Sequence, residues 1–386
     1  MKGITVIGTG DFTHPQWVAE HKEKLEEIDG NLFKLHEKDC DNGLVPLSCR
    51  ADVFFMLTAE ISCIYSKKGK VRKVHNLVFS PDIGTVTKIN KALSRIGNLS
   101  SDGRPILGLD AKELLRIVLD ISDRAMLVPA HIWTPHFSVL GAASGFESLE
   151  ECFEELTPHI HAVETGLSSD PAMNRRLPSL DRITLISNSD AHSPAKLGRE
   201  ANILESKGRE DISYDLIMNA IKTGIGFAGT IEFFPEEGKY HYDGHRHCGV
   251  SLSPEETLRH NYLCPVCGKK VTVGVMHRVE KLAARKPGYI PDKPLPFYSI
   301  IPLQEILSEV LKVGVNSKAV MREYMRLLDC LGPEFTILMD TPPDTIEEKG
   351  SPLLREAIER MRSGQVHAVP GYDGEYGKVS LFEHRE

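Results

Sequence analysis

Seven histidine and acidic side chains recur along the first half of the chain, and their chemistry is that of metal ligands. They are Asp11, His14, Glu60, His75, His131, Asp190 and His192. Imidazole and carboxylate together suit Zn²⁺, Mn²⁺ or Fe²⁺. Two or three such ions, bridged by a carboxylate, can clamp a phosphate and activate a water for in-line attack. Any single histidine is more readily explained as an ordinary polar residue, but seven ligand-type residues after successive strands predict a metal-dependent phosphoesterase.

A second group of ligand-type residues lies further along the chain and has a different character. His245 and Cys248 are separated by two residues, and Cys264 and Cys267 repeat that spacing fifteen residues later. Two tight pairs of nitrogen and sulfur ligands suit a closed, tetrahedral, structural Zn²⁺ site. The spacing leaves the histidine open, because His241 and His247 are close by. A small zinc-stapled fold and a module that helps to hold a substrate strand are both compatible with this pattern.

The elements that position the first group alternate between strand-like and helical patterns. The strand-like runs are Ile4 to Gly8, Val53 to Ser62, Lys73 to Ser80, Met126 to Ile132, His161 to Gly166 and Ile183 to Asp190. Alternating elements of this kind predict a largely parallel sheet or barrel with outer helices. Most of the ligand-type residues, with Glu60 and Glu164 among them, are expected at the carboxyl ends of these strands, where a barrel of this type collects its catalytic groups, whereas His75 falls within its strand.

Composition limits the class of protein. The chain has 386 residues, 41% of them hydrophobic, and a formal net charge of -8, which is typical of a globular protein. The amino terminus has no signal-peptide pattern, and a cytoplasmic protein is expected. Changes in composition predict three parts: a catalytic domain over residues 1–234, a zinc-binding module over 235–280 and a mainly helical domain over 281–386.

The order of motifs GTGDFTHP, AEIS, KVHN, PAHIWTP, ETGLSSDP and SNSDAH resembles the later metal-binding motifs of the polymerase-and-histidinol-phosphatase (PHP) superfamily. The longer strings ETGLSSDPAMN and SDAHSPAKLGREAN, followed by the cysteine unit, resemble the endonuclease Q branch. The resemblance covers nearly the whole chain. It implies an α/β fold, a PHP-type distorted (β/α)7 barrel, and an enzyme that cleaves DNA 5′ to a deaminated base or an abasic site.

The resemblance also implies roles for individual residues. It assigns catalysis to Asp11, His14, Glu60, His131 and Asp190. It places all seven residues of the first group on catalytic divalent ions (Zn²⁺, Mg²⁺ or Mn²⁺) and makes Glu164 a weaker candidate. The superfamily's first motif, His-x-His on a first strand, has no counterpart here, so the resemblance implies a barrel without its first βα unit. Two rival interpretations remain: a PHP-type small-molecule phosphatase and an inactive DNA-binding remnant.

Contacts with DNA are expected from basic and aromatic residues. The basic run at residues 66–73 could track phosphates, or it could equally be a solvated hairpin between strands. A second basic run lies at residues 277–286, and Lys318, Arg322 and Arg326 fall on one helical face, although such charges are usually only solvated. Phe12, Trp17, Trp133 and Phe137 could stack on an extruded base or pack at the barrel mouth. There is no phosphate-binding loop for ATP. The final LFEHRE does not resemble a sliding-clamp peptide, and no membrane association is expected.

Overall fold

A computed structural model describes residues 1–101 and 103–382; the end of the LFEHRE segment lies outside this range. The strands are β1 (Val6–Gly8), β2 (Leu25–Ile28), β3 (Leu32–Leu35), β4 (Phe54–Lys67), β5 (Lys70–Ser80), β6 (Ile106–Leu107), β7 (Met126–Pro129), β8 (Ala162–Glu164), β9 (Thr184–Ile186), β10 (Ala201–Leu204), β11 (Phe227–Glu232), β12 (Asp243–His245), β13 (Val250–Leu252), β14 (Phe297–Ser299), β15 (His367–Val369) and β16 (Lys378–Ser380).

Helices alternate with these strands in the first part of the chain and dominate its last part. They are α1 (Pro15–Lys24), α2 (Ile83–Leu93), α3 (Ala111–Ile121), α4 (Leu149–Phe153), α5 (Pro171–Asn174), α6 (Tyr214–Thr223), α7 (Pro254–Arg259), α8 (Val275–Leu282), α9 (Leu303–Leu311), α10 (Lys318–Leu331), α11 (Pro343–Lys349) and α12 (Pro352–Arg362). A π-helical turn spans Thr336–Asp340, and short 3-10 turns join several elements. Among the described residues, no helix combines the length and apolar character needed to cross a membrane.

The central sheet is mixed, so the prediction of a largely parallel sheet is wrong for its middle. β1 pairs with β4 in parallel, but β4 pairs with β5, and β5 with β7, in antiparallel fashion. Only Lys68 and Gly69 join β4 to β5, and both have positive φ values, of 51° and 73°. A two-residue turn of this kind makes a hairpin, whereas a parallel pair needs a crossover of a dozen or more residues.

Two apolar clusters enclose the sheet. One cluster lies where α2 and α3 pack on β4 and β5, and it includes the buried residues Leu57, Ile61, Ile89 and Leu114. The other lies on α6, where Tyr214 and Ile217 pack beside Met56 and Val128. Because both faces of the long β4–β5 hairpin are covered, the polar side chains inside it must find partners within the protein.

The mainly helical part has its own apolar cluster, built on α9, α10 and α12 around Leu307, Leu327 and Ile358. The chain then returns as the β15–β16 hairpin. A Cβ atom on Gly377 would lie 2.0 Å from the Glu236 carbonyl oxygen, so only glycine allows the hairpin to approach this closely. The hairpin thereby connects the helical part to the segment that precedes β12.

Two buried glutamates face each other across the antiparallel β10–β11 pair. Ala201 is in register with Ile231, which sets Glu200 opposite Glu232. Both side chains are buried, and each has an oxygen without a hydrogen-bond partner. Burial raises the pKa of Glu232 to about 8. Burial and then the charge of Glu232 raise the pKa of Glu200 well above its usual value.

We expect Glu232→Gln to stabilise the protein at alkaline pH. The unfolded chain releases the Glu232 proton near its ordinary pKa of 4.5, whereas the folded protein keeps that proton up to about pH 8. The free energy of unfolding therefore falls as pH rises between these values. Glutamine stays neutral, so the variant should exceed the wild type by roughly 1–3 kcal/mol at pH 8.5 and match it at pH 5. Urea denaturation at both pH values measures this.

The control for this experiment is Glu205→Gln, because Glu205 lies on the exposed segment just after β10. Its substitution removes the same charge from the same region without changing a buried group. Equal stabilities of Glu232→Gln and wild type at pH 8.5 would mean that Glu232 is not protonated in the folded protein.

Candidate metal centre

Three of the predicted ligands converge inside the central sheet. The Glu60 Oε1 atom lies 2.8 Å from His75 Nδ1 and 3.2 Å from His131 Nε2, and the two ring nitrogens are 3.1 Å apart. Glu60 and His75 project from the β4–β5 hairpin, and His131 follows β7 directly. Since β5 lies between β4 and β7, the three side chains meet on one face of adjacent strands.

The geometry of these three atoms fits a bound cation. Two ligands about 2.1 Å from a common ion are about 3.0–3.4 Å apart when the angle at the ion is 90° to 109°. The triangle of Glu60, His75 and His131 has sides of 2.8, 3.1 and 3.2 Å. Nitrogen and carboxylate donors together suit Zn²⁺ or Mn²⁺.

His131 is held in place by a second layer of contacts. Its Nδ1 atom lies 3.0 Å from the Thr134 hydroxyl, which leaves Nε2 directed at Glu60. Its backbone N–H donates to Glu164 Oε2 at 2.8 Å, and Asn188 donates to the other Glu164 oxygen at 2.9 Å. Such outer contacts fix the orientation of a ligand imidazole. Glu164 therefore lies behind the cluster as a positioning group.

Burial and hydrogen bonding oppose each other in the cluster. Burial alone would raise the pKa of Glu60, but hydrogen bonds with His131 and His75 outweigh it and hold that pKa well below its usual range. Burial lowers the pKa of His75. Burial also acts to lower the pKa of His131, but the carboxylate of Glu60 raises it overall. Glu60 is thus a carboxylate ready to accept a cation.

The other four predicted ligands, Asp11, His14, Asp190 and His192, are not part of this triangle. Burial and then the charge of Glu60 raise the pKa of Asp11, and the charges of Arg104, His14 and His192 only partly offset that rise. The His192 side chain is 76% exposed, and its Nδ1 atom is 3.9 Å from Asp190 Oδ1. Among the described residues, the donor atoms of these four do not join those of Glu60, His75 and His131 in one group within 4.8 Å.

Unusual backbone conformations at three of the predicted ligands are an independent indication of this site. Asp11, His131 and Asp190 each follow a strand, and their φ values are 44°, 30° and 42°. Non-glycine residues adopt such conformations at a cost of about 1–3 kcal/mol, and they cluster at functional sites. The predicted position at strand ends is confirmed for these three residues. It is wrong for Glu60, which lies within β4 because that strand continues into the hairpin turn.

Arg104 is a member of the cluster that the sequence did not indicate. Its Nη1 atom lies 3.0 Å from Glu60 Oε1 and 2.8 Å from His75 Nδ1, and its Nη2 atom is 3.9 Å from Asp190 Oδ1. It stands in the loop before β6, in the string DGRPI, where neither periodicity nor a motif distinguishes it. Only the fold brings this arginine to the metal ligands.

The second group of ligands also converges. The four donor atoms of His245, Cys248, Cys264 and Cys267 lie within 4.8 Å of one another. His241 is instead buried in the neighbouring segment. Burial acts to raise the pKa of Cys264, but the backbone amides of Cys267 and Val266 lower it overall, as expected of a thiolate ligand. The set fits a structural zinc ion.

The structure decides between the alternatives for the aromatic residues. Phe12 and Trp133 are fully buried in the apolar core, so they pack rather than stack on a base. Phe137 packs against the His75 ring, with centroids 4.6 Å apart. Trp17 remains 39% exposed at the start of α1, and its Nε1 atom donates to the Gly10 carbonyl oxygen at 2.8 Å.

Several predicted DNA-binding cations are used within the protein. Arg72 is buried, with its guanidinium 4.0 Å above the Phe146 ring. Arg278 is buried and donates to the Leu140 carbonyl oxygen at 2.9 Å. These contacts occur because long cationic side chains also cover apolar surface. The basic runs therefore overstate the charge that is free to meet phosphates.

Gly166 lies against His131 at the metal centre. We expect Gly166→Ala to reduce both the stability of the protein and its affinity for a metal ion. Gly166 has a φ of 64°, and an added Cβ would lie 2.5 Å from His131 Cβ and 2.8 Å from His131 Cα. The substitution must strain the backbone and displace His131, which should cost about 1–3 kcal/mol of stability. Urea denaturation and Mn²⁺ binding measure the two effects, and both should decrease.

Gly224→Ala separates these causes, because Gly224 has a φ of 74° but no atom within 4 Å of an added Cβ. It should lose stability without losing metal affinity. Unchanged Mn²⁺ binding by Gly166→Ala would contradict the proposed position of His131.

Comparisons with known proteins agree with this geometry. The family model described as the MJ0043 C-terminal domain matches residues 302–365. The uncharacterized protein MJ0043 of Methanocaldococcus jannaschii is 35% identical over 241 residues, which are 61% of this chain and 30% of that protein. This chain thus aligns with less than a third of that relative. The uncharacterized protein YqxK of Bacillus subtilis is 27% identical over 98% of this chain and 89% of its own length.

Two solved structures are similar over nearly the whole chain. The lesion-specific endonuclease PfuEndoQ from Pyrococcus furiosus has a TM-score of 0.82 and 29% identity, covering 98% of this chain and 87% of its own. Endonuclease Q in complex with a 27-mer duplex carrying an abasic lesion has a TM-score of 0.81 and 28% identity, covering 99% and 89%.

The fold is of mixed α/β architecture, similar to that of these endonucleases, and the chain carries candidate metal-binding groups. Within that class, the resemblance to the endonuclease Q family that the motifs indicated is confirmed.

Proposed function

We propose that this protein is a metal-dependent DNA endonuclease of the endonuclease Q type, which hydrolyses the phosphodiester 5′ to a deaminated base or an abasic site. The observation that carries the proposal is the triangle of Glu60, His75 and His131, at distances suited to a cation. It lies in a chain of which 98% and 99% align with the two endonuclease Q structures.

In this proposal the residues of the site have different roles. Glu60, His75 and His131 would hold an ion at the centre, and Asp11, His14, Asp190 and His192 would complete the set from the rim. Bound divalent ions supply electrostatic stabilisation of the phosphate and lower the pKa of a water. Glu164 fixes His131 through its backbone N–H at 2.8 Å. Burial keeps bulk water away from Glu60 and His75, which strengthens their attraction for a cation.

The architecture belongs to the same proposal. The mixed sheet would be a PHP-type distorted barrel. Residues 1–234 would form the catalytic domain, residues 235–280 a zinc-binding module and residues 281–386 a mainly helical domain. The zinc module is supported by the convergence of His245, Cys248, Cys264 and Cys267. The match of residues 302–365 to one family model supports a separate helical unit.

The substrate would approach the side of the β4–β5 turn. Lys68 and Lys70 at this turn are exposed, and neither forms an ion pair among the described residues. Phosphates attract such free cations in a salt-dependent way. Trp17, three residues after His14 in sequence, is exposed and can stack on a base. Together they would hold DNA across the metal centre.

A nicking assay tests the function. Labelled duplexes with one uracil, hypoxanthine or abasic site are incubated with the protein and Mg²⁺ or Mn²⁺, beside an undamaged duplex. The proposal predicts a single nick 5′ to each lesion and an intact control duplex. Hydrolysis of a small phosphate ester without nicking would favour the phosphatase alternative. Binding without nicking under all metal conditions would mean an inactive DNA-binding protein.

A further inference from the structure

The loop that follows His131 touches two of the three ligands of the triangle. Residues 132–146 form an irregular segment between β7 and α4, and the Thr134 hydroxyl within it lies 3.0 Å from His131 Nδ1. Further along, the Phe137 carbonyl oxygen accepts the His75 backbone N–H at 2.9 Å, and the Phe137 ring packs on the His75 imidazole. The orientation of His75 therefore depends on where this loop holds Phe137.

Arg278 holds the second half of the loop. Its side chain is buried, and its Nε and Nη2 atoms donate to the carbonyl oxygens of Leu140 and Phe146, at 2.9 and 2.8 Å. Its Nη1 atom lies 3.2 Å from Glu147 Oε1, on a carboxylate that is largely exposed. The N–H groups of a guanidinium point in fixed directions, so one arginine that bonds two separate carbonyls sets the distance between them. Arg278 thus determines how the loop closes.

The helix that carries Arg278 is anchored in the zinc module. The neighbouring residue in α8 is His277, whose Nδ1 atom lies 2.6 Å from Asp243 Oδ2 and whose Nε2 atom lies 3.0 Å from the Tyr262 hydroxyl. Asp243 and Tyr262 each stand two residues before a candidate zinc ligand. These contacts tie α8 to both halves of the zinc site, and Arg278 then reaches from that helix to the loop at the metal centre.

We propose that Arg278 is a positioning residue for the candidate metal centre. From α8 it holds the 132–146 loop so that Phe137 keeps the His75 imidazole directed at Glu60. This gives the zinc module a role at the catalytic ions that is separate from any contact with DNA. The inference rests on the proposed function, since it takes the triangle of ligands to be a metal site.

The first measurement is hydrogen exchange of the full-length protein without added Mn²⁺, followed by mass spectrometry of its peptides. Arg278→Met keeps an apolar stem but cannot donate to the loop. Exchange in peptides that cover residues 70–75 and 132–146 should become about tenfold faster or more, since the hydrogen bonds between β5 and the loop open more often. Exchange over α6, which is remote from the loop in sequence, should stay the same.

The second measurement is Mn²⁺ affinity by calorimetry, with Glu60→Gln as the blank for the triangle. Arg278→Met should bind Mn²⁺ about threefold to thirtyfold more weakly than the wild type, because His75 is no longer held in its ligand orientation. Arg278→Lys keeps the charge and a donor but not the planar fork. It should therefore recover part of the affinity and part of the protection from exchange.

Arg176→Met is the matched control, because Arg176 is also buried and also holds α8. Among the described residues, its side chain bonds to Glu280 and to the Arg285 carbonyl oxygen, not to the loop. Urea denaturation should show a loss of stability in both arginine variants. Mn²⁺ affinity and loop exchange should change only in Arg278→Met, which separates positioning from a general loosening of the helix.

The outcomes separate this inference from the proposed function. Unchanged Mn²⁺ affinity in Arg278→Met, or an equal loss in Arg176→Met, would overturn the positioning role. If Arg278→Met does not fold, the same measurements on Arg278→Lys decide, and wild-type values in both would overturn it. The expected pattern in a protein that nicks no lesion would support the positioning role and overturn the nuclease. Wild-type Mn²⁺ binding that Glu60→Gln does not remove would overturn both.

Discussion

Glu60→Gln is expected to abolish nicking, with a loss of roughly a thousandfold or more in rate, because the central ligand can no longer neutralise a cation. Glutamine has the same shape, so the β4–β5 hairpin should keep its structure. The Glu60 oxygen is within 3.2 Å of both His75 and His131, so its charge serves the whole triangle. Nicking rates and Mn²⁺ calorimetry on the same preparation measure the two consequences.

The matched control for Glu60→Gln is Glu150→Gln, an exposed residue in the first turn of α4. It removes one carboxylate from the same domain and should leave both the nicking rate and Mn²⁺ binding unchanged. A Glu60→Gln variant that retained activity within about tenfold of the wild type would show that the catalytic ions are held elsewhere.

Cys264→Ser is expected to empty the second site and open the surrounding module. Cys264 is 2% exposed and packs with Leu252 and Val271 in a small apolar cluster. A cluster of this size cannot hold a fold without the ion, since structural zinc contributes about 10–16 kcal/mol in isolated zinc-binding peptides. Elemental analysis should find about one zinc ion fewer per chain. Limited proteolysis should then cut within residues 235–280, whereas the same segment of the wild type should resist cleavage.

The comparison for Cys264→Ser is Cys40→Ser, which alters an exposed thiol far from the four ligands. Its zinc content and proteolysis pattern should be those of the wild type. Full zinc occupancy in Cys264→Ser would mean that His245, Cys248 and Cys267 are sufficient, or that the ion is held by other residues.

The sequence by itself predicted which residue types could hold metal ions. The pairs His245/Cys248 and Cys264/Cys267 are local, and two-residue spacings bring both members of a pair to one ion whatever the rest of the fold does. The motifs around Asp11, His131 and Asp190 follow apolar strands, and the end of a strand is a position that local patterning can reveal. The overall architecture followed from these motifs through the family resemblance.

Only the tertiary structure decided how distant segments meet. The β4–β5 hairpin put Glu60 and His75 in the middle of antiparallel strands, and a hairpin over residues 66–73 was one of the two interpretations that the sequence left open. The sequence left open whether His245 or His241 is the ligand, and only the fold showed that the His241 side chain is buried elsewhere. Internal contacts bury Arg72 and Arg278, which the sequence had suggested as DNA contacts. Folding places Arg104 beside Glu60, although the two residues are 44 positions apart in sequence. Sequence spacing cannot predict such contacts between distant residues, because burial and long-range packing arise only when the chain has folded.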